Sequence, residues 1–203
     1  MRVTGVEPVS KTRYKVMIDG QFAFTLYKGE LSRYHIEAGS VIELDTYQVI
    51  YKNAVKRAKL RAMHLLTDMG RTEAQLRTKL MQGGYPQNIT EEAIKYVKSF
   101  GYINDREYAR NFVESRKDKK SRRELYAALC QKGLASELIE EVLEECFDKE
   151  DSIKAIKTLL RKKDFHPETA DLKEKQKVMG YLLRKGFQYE EIKSAVDFVN
   201  IEE

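Results

Sequence analysis

The side chains of this chain best suited to chemistry are cations gathered in one run. RKDKKSRR, residues 116–123, places six Lys/Arg in eight positions. At that density Arg116, Lys117, Lys119, Lys120, Arg122 and Arg123 can neutralise phosphates or meet an acidic protein surface, and such binding weakens steeply with salt. Smaller clusters recur at RKK (161–163), with Lys162 and Lys163, and at Lys132, Arg184 and Lys185. GYINDREYARNF, residues 101–112, gathers a glycine, two tyrosines, amides, carboxylates and two arginines. It reads as the start of a helix. Asn104 is placed to cap it with Glu107 three residues on, and Tyr108, Ala109, Phe112 and Val113 share its apolar face.

Other chemistries find no footing. His35, His64 and His166 lie far apart, without HxxxH or HxH spacing, so no metal site is expected. Cys130 and Cys146 form no CxxC pair and read as packing residues rather than a disulfide. GxxxxGK[ST], GxSxG and HExxH are all absent from the sequence, so neither an enzyme nor a cofactor is expected. The start MRVTGVEPVSK lacks the charged and apolar blocks of a signal peptide, and no run nears the ~18 apolar residues of a membrane span. A cytoplasmic protein without membrane contact is the expectation.

What must position the cations is mostly helix. The 203 residues are 42% apolar and 34% charged, enough hydrophobe for a core but with much solvated surface, which suits thin helical layers. Residues 1–45 hold six Lys/Arg and six Asp/Glu, so the whole net charge of +5 falls after residue 45. The neutral start reads as strands: VTGVEPV (3–9), RYKVMI (13–18) and FAFTL (22–26), the last two joined by an Asp19-Gly20 turn. A short helix over 28–36 and a further strand VIEL (41–44) complete a β-rich unit, 1–46, too small for a self-sufficient core and expected to dock on the helices C-terminal to it.

From Tyr47 the spacing turns helical. Tyr51, Val55, Ala58, Ala62, Leu65 and Met69 form one stripe ending at Gly70, with Lys52, Lys56 and Lys59 on another face. Gly84, Gly101, Gly133 and Gly186 each follow an apolar-periodic segment, the usual place for a left-handed helix stop. Aligning LRTKLMQGGY (76–85), LYAALCQKGL (125–134) and VMGYLLRKGF (178–187) on their glycines superposes Leu76, Leu125 and Val178, then Leu80, Leu129 and Leu182, then Tyr85, Leu134 and Phe187. Cys130 falls in a column with Met81 and Leu183, and Val97, Cys146 and Val199 share a later one. Each aligned segment is preceded by a further helix, near 48–69, 105–117 and 149–163.

The chain therefore divides into three tandem three-helix repeats, 47–101, 102–147 and 148–203, a mostly α fold expected to form an elongated curved array. Gly180 falls inside a predicted helix, where glycine costs about 1 kcal/mol against alanine. The three-helix unit is similar to a DNA-reading helix-turn-helix. Its third helices, however, carry Glu137, Glu140, Glu141, Glu144 and Glu145 in one case and Glu190 and Glu191 in another, which would repel a phosphate backbone. Those carboxylates are expected to face solvent or a basic protein.

With these motifs in place the chain resembles the RecX family, regulators of the bacterial RecA recombinase. The resemblance rests on Arg71-Thr72-Glu73 with LRTKLMQGGY, on FGYINDREYARNFVESR (100–116), and on LYAALCQKGL with its repeat mates. Ala128, Gly83 and Ser121 depart from the family pattern, which has an acidic residue, a lysine and a glycine there. The resemblance implies a non-enzymatic modulator that lies on the RecA filament on single-stranded DNA and suppresses its ATPase, recombinase and coprotease activities. It would act as a monomer. The choice of Arg116, Lys117, Lys119, Lys120, Arg122, Arg123, Lys162, Lys163, Arg184 and Lys185 as the partner or nucleic-acid contacts comes from their clustering alone. A stand-alone DNA-binding protein using the same clusters, and a repeat scaffold without DNA affinity, are the competing readings.

Overall fold

The computed structural model describes residues 1–196. The expected close of the last helix, with Val199, lies outside them. The chain divides into two compact units, Met1–Asn104 and the residues from Asp105 onward.

In the first unit β1 (Val3–Pro8), β2 (Arg13–Ile18) and β3 (Gln21–Tyr27) form an antiparallel meander in that order. Alternation dictates its buried face: Val16 and Ile18 from β2 and Phe24 and Leu26 from β3 point into the core. Asp19 (φ 48°) and Gly20 (φ 80°) both take the left-handed region, as a two-residue hairpin turn requires. A short α1 (Lys28–Arg33) comes next. VIEL is not a strand. Val41 makes a single bridge to Arg2, and Leu44 already opens α2 (Leu44–Asp68), so the helix claims the residues that would have extended the pairing.

The buried face of α2 is Ile50, Ala54, Val55, Ala58, Ala62 and Leu65. Its three alanines keep that surface low, and α4 (Gln87–Ser99) packs along it, burying Ile89, Ala93, Ile94 and Val97. The helix stops at Asp68, and Met69 is extended and exposed rather than the last member of the stripe. Between them α3 (Glu73–Gln82) buries Leu76 and Leu80. One continuous core runs from Val3 through Leu80 to Ile103, so the sheet and the first repeat are a single body. They are joined at Gly84, whose φ is 90° and whose carbonyl accepts a 2.6 Å hydrogen bond from Thr25 Oγ1 of β3. A Cβ on Gly84 would lie 2.9 Å from that same oxygen, so φ and close approach both demand glycine.

The second unit has two cores. Helices α5 (Asp105–Glu114), α6 (Arg122–Cys130) and α7 (Ser136–Cys146) enclose Ala109, Val113, Leu125, Leu129, Ile139, Val142 and Leu143. Helices α8 (Lys149–Lys162), α9 (Leu172–Arg184) and α10 (Tyr189–Val196) enclose Ala155, Ile156, Leu160, Leu182, Phe187 and Ile192. The four stop glycines 84, 101, 133 and 186 all have positive φ, and α9 runs unbroken through Gly180.

The middle helix of every repeat opens the same way. Thr72, Ser121 and Asp171 each accept a hydrogen bond from the amide three residues on, and Gln75, Glu124 and Glu174 accept one from the cap's own amide. The cysteines are less buried than their spacing implies. Cys130 is exposed and Cys146 half-buried, because the Cys130 column lies one residue past the buried leucine, and its mates Met81 and Leu183 are exposed too.

Candidate nucleic-acid and partner interface

The run 116–123 connects α5 to α6, and its cations divide by what holds them. Lys117 is tied inward. Its ammonium lies 3.1 Å from Glu114 and 3.3 Å from Asp151 at the start of α8, and it donates to the carbonyl of Cys146 at 3.1 Å. The two carboxylates favour the charged form and push its pKa up, Glu114 contributing most. Arg122 pairs with Glu140 of α7 at 2.7 Å. Arg123 is exposed, yet its stem lies against the α9–α10 turn: a Cβ on Gly186 would sit 2.7 Å from the Arg123 Cβ.

The remainder, apart from the half-buried Lys120, faces outward. Arg116 is exposed with its guanidinium 4.1 Å from the Phe112 ring centre, and Lys132 reaches the same ring at 5.2 Å. Lys119 pairs with its neighbour Asp118, at 3.2 Å, both about half exposed. For such an exposed pair the net stabilisation is about 0–1 kcal/mol, which a phosphate would readily outcompete. Lys120 is half-buried and Lys162 exposed, and among the described residues neither is in an ion pair.

Lys163 and Lys185 meet around one ring, and Arg184 lies on the same helix as that ring. Lys163 caps α8 and sets its ammonium 4.2 Å from the centre of Tyr181 on α9, with Lys185 at 5.8 Å. Lys185 also donates to Glu124 of α6 at 2.7 Å, which raises its pKa. Beside that bond the hydroxyl of Ser121 donates to the Lys185 carbonyl at 2.6 Å. Lys117 and Lys185 thus fasten the middle repeat to the third, while Lys119, Lys120, Lys162, Lys163 and Arg184 present charge.

The carboxylates Glu137, Glu141, Glu144 and Glu145 of the acidic third helix are exposed, as expected, and two of them are also partly neutralised from within. Arg106 bridges Glu141, at 2.6 Å, and Glu145, and Arg110 reaches Glu145 at 3.0 Å. The two guanidiniums, Arg110 foremost, hold the Glu145 carboxyl below the ordinary glutamate range. Arg106 and Arg110 of the GYIND run are therefore occupied by α7. In the first repeat Arg71 Nε donates to the Leu65 carbonyl at 3.1 Å, Thr72 caps α3, and Glu73 binds Lys98 and Arg77 at 2.6 and 3.1 Å. The Arg-Thr-Glu motif is joinery. Among the described residues no group of His, Cys, Asp and Glu could hold a metal, and no helix is long and apolar enough to cross a membrane.

Fold and site together define a tandem three-helix-repeat protein with a β-meander packed on its first repeat and exposed cations at its inter-helix junctions. Sequence profiles for the RecX first, second and third three-helix domains match residues 58–96, 104–143 and 150–196. "Regulatory protein RecX" of Caldanaerobacter subterraneus subsp. tengcongensis is 35% identical over 190 residues, 92% of this chain and 93% of that one. Its namesake from Clostridium acetobutylicum is 28% identical, over 90% and 87% of the two chains. A crystal structure of regulatory protein RecX has the same fold, with a TM-score of 0.65 at 23% identity over 97% of this chain and 98% of that one. The chain belongs to the RecX family of regulatory proteins.

Proposed function

We propose that this protein is a cytoplasmic, non-enzymatic regulator that binds the RecA filament on single-stranded DNA as a monomer and lowers its ATPase, recombinase and coprotease activities. The observation that carries this reading is family membership along nearly the whole chain, including all three repeats. Exposed or half-buried cations that are unpaired or weakly paired support it. An anionic surface gains most from charges that are still solvated and bound to little else, which selects Arg116, Lys119, Lys120, Lys162, Lys163 and Arg184 over Lys117 and Lys185.

Titrating the protein into preformed RecA filaments on single-stranded DNA should depress ATP hydrolysis at substoichiometric to equimolar ratios. Absence of inhibition at equimolar protein sinks the reading. The triple reversal Lys119→Glu, Lys120→Glu, Lys162→Glu should raise the concentration for half inhibition at least about tenfold, at unchanged circular dichroism, given that each lost phosphate contact also removes salt dependence. Salt-sensitive binding to naked duplex that RecA does not enhance would instead favour a stand-alone DNA-binding protein.

A further inference from the structure

The third repeat holds an open cavity of about 780 Å³ between the turn after α8 and the outer face of α9. Two rings, Phe165 and Tyr181, and the apolar Val178 line it. Lys163, Lys177, Arg184 and His166 bring basic groups to its walls. Two carboxylates share the same walls. Asp164 faces His166 at 3.4 Å, and Glu174 accepts the amide of Asp171 in the helix cap. Among the described residues Lys177 and Arg184 are in no ion pair. Three Lys/Arg against two carboxylates leave net positive charge beside the two half-buried rings.

Lys177, Tyr181 and Arg184 are spaced i, i+4, i+7, one stripe of α9, and Gly180 lies between them. A Cβ at Gly180 would stand 3.4 Å from Arg184 Nη1, already contact distance, so a larger side chain would displace the guanidinium. The helix tolerates a poor helix former at the point where Arg184 folds back beside the cavity.

We propose that this cavity takes one nucleotide of single-stranded nucleic acid, its base stacked on Tyr181 and Phe165 and its phosphate held by Lys177 and Arg184. Aromatic stacking platforms beside a cationic track are how unpaired strands are bound without sequence choice, because every base has a π-face. A base paired in a duplex has no free face to offer. The ammonium of Lys163 now over Tyr181 is drawn to the incoming phosphate, since stacking of a base outweighs an exposed cation–π contact. This site deepens the regulator reading and rests on its placing the protein where single-stranded DNA is held.

The test uses the full chain without RecA and a fluorescein-labelled (dT)12 containing one 2-aminopurine, whose quenching reports stacking while anisotropy reports affinity. Wild type should quench it. Tyr181→Leu and Phe165→Leu should each abolish quenching and weaken binding about fivefold to a hundredfold. Lys177→Gln and Arg184→Gln, both outside the core, should keep the melting temperature while flattening the log–log salt slope by about 0.7 each. Unchanged affinity and quenching in all four variants overturns the proposal, as does tighter binding of a duplex of the same length. Displacement of the strand by dTMP at equal nucleotide concentration would assign the site to free mononucleotide and overturn the strand. The same proteins assayed on RecA filaments separate the two ideas: inhibition by wild type without oligonucleotide binding removes this site and leaves the regulator, and binding without inhibition does the reverse.

Discussion

Ser121 is buried at the start of α6, and its hydroxyl has two partners: it accepts from the Glu124 amide at 3.1 Å and donates to the Lys185 carbonyl at 2.6 Å. One side chain thus both caps a helix and bonds the third repeat. Ser121→Ala removes the cap acceptor and leaves a carbonyl short of a donor, so it should cost about 1–3 kcal/mol, seen as a lower melting temperature of the second unit. Ser121→Gly should keep most of the cap. The middle-helix caps carry a local signal, S/T/D-x-x-E/Q before an apolar run, which was read from sequence only at Asn104. The second partner of Ser121 was not legible in sequence, because Lys185 is 64 residues away and only packing brings it there.

At the scale of elements, the sequence exposed what is local. Stop glycines and a 3.6-residue period locate α3, α4, α6, α7 and α9, since both act within a turn of the chain. VIEL misled because four residues, three of them apolar, suit a strand or a helix start equally until a partner strand decides. The pairing of Arg106 and Arg110 with Glu141 and Glu145 also depends on which face of α5 meets α7. A similar cross-helix network joins α3 to α4: Glu73 binds Lys98 and Arg77, and Glu91 binds Arg77 at 2.8 Å. Lys98 above all holds Glu73, and Arg77 holds Glu91, below the ordinary glutamate value of 4.5. The unfolded chain then binds more protons in the acid range, so this contribution is complete above pH ~4.5 and lost as pH falls through the lowered folded values. For partly exposed pairs it amounts to about 1 kcal/mol. Glu73→Gln should make the melting temperature of the first unit less steeply dependent on pH between about 6 and 3, measured by circular dichroism.

At the scale of the whole molecule, the cations that present charge were legible as clusters, but which of them are spent on holding repeats together was not: Lys117 and Lys185 look like Lys119 in the sequence and differ only in what packs beside them. The units differ in construction as well. One core extends from the sheet through the first repeat, and two smaller ones fill the second unit. Separate cores melt separately, so calorimetry should resolve at least two transitions and reject a single two-state fit. The division at Asn104 then turns heat into a positional assay. A ligand stabilises only the body it binds, by about 2.7 kcal/mol at a hundred times its dissociation constant. Saturating oligonucleotide should therefore move the second unit's transition upward and leave the first where it was, so a melting curve of the unlabelled protein reports which half of the chain a partner has touched.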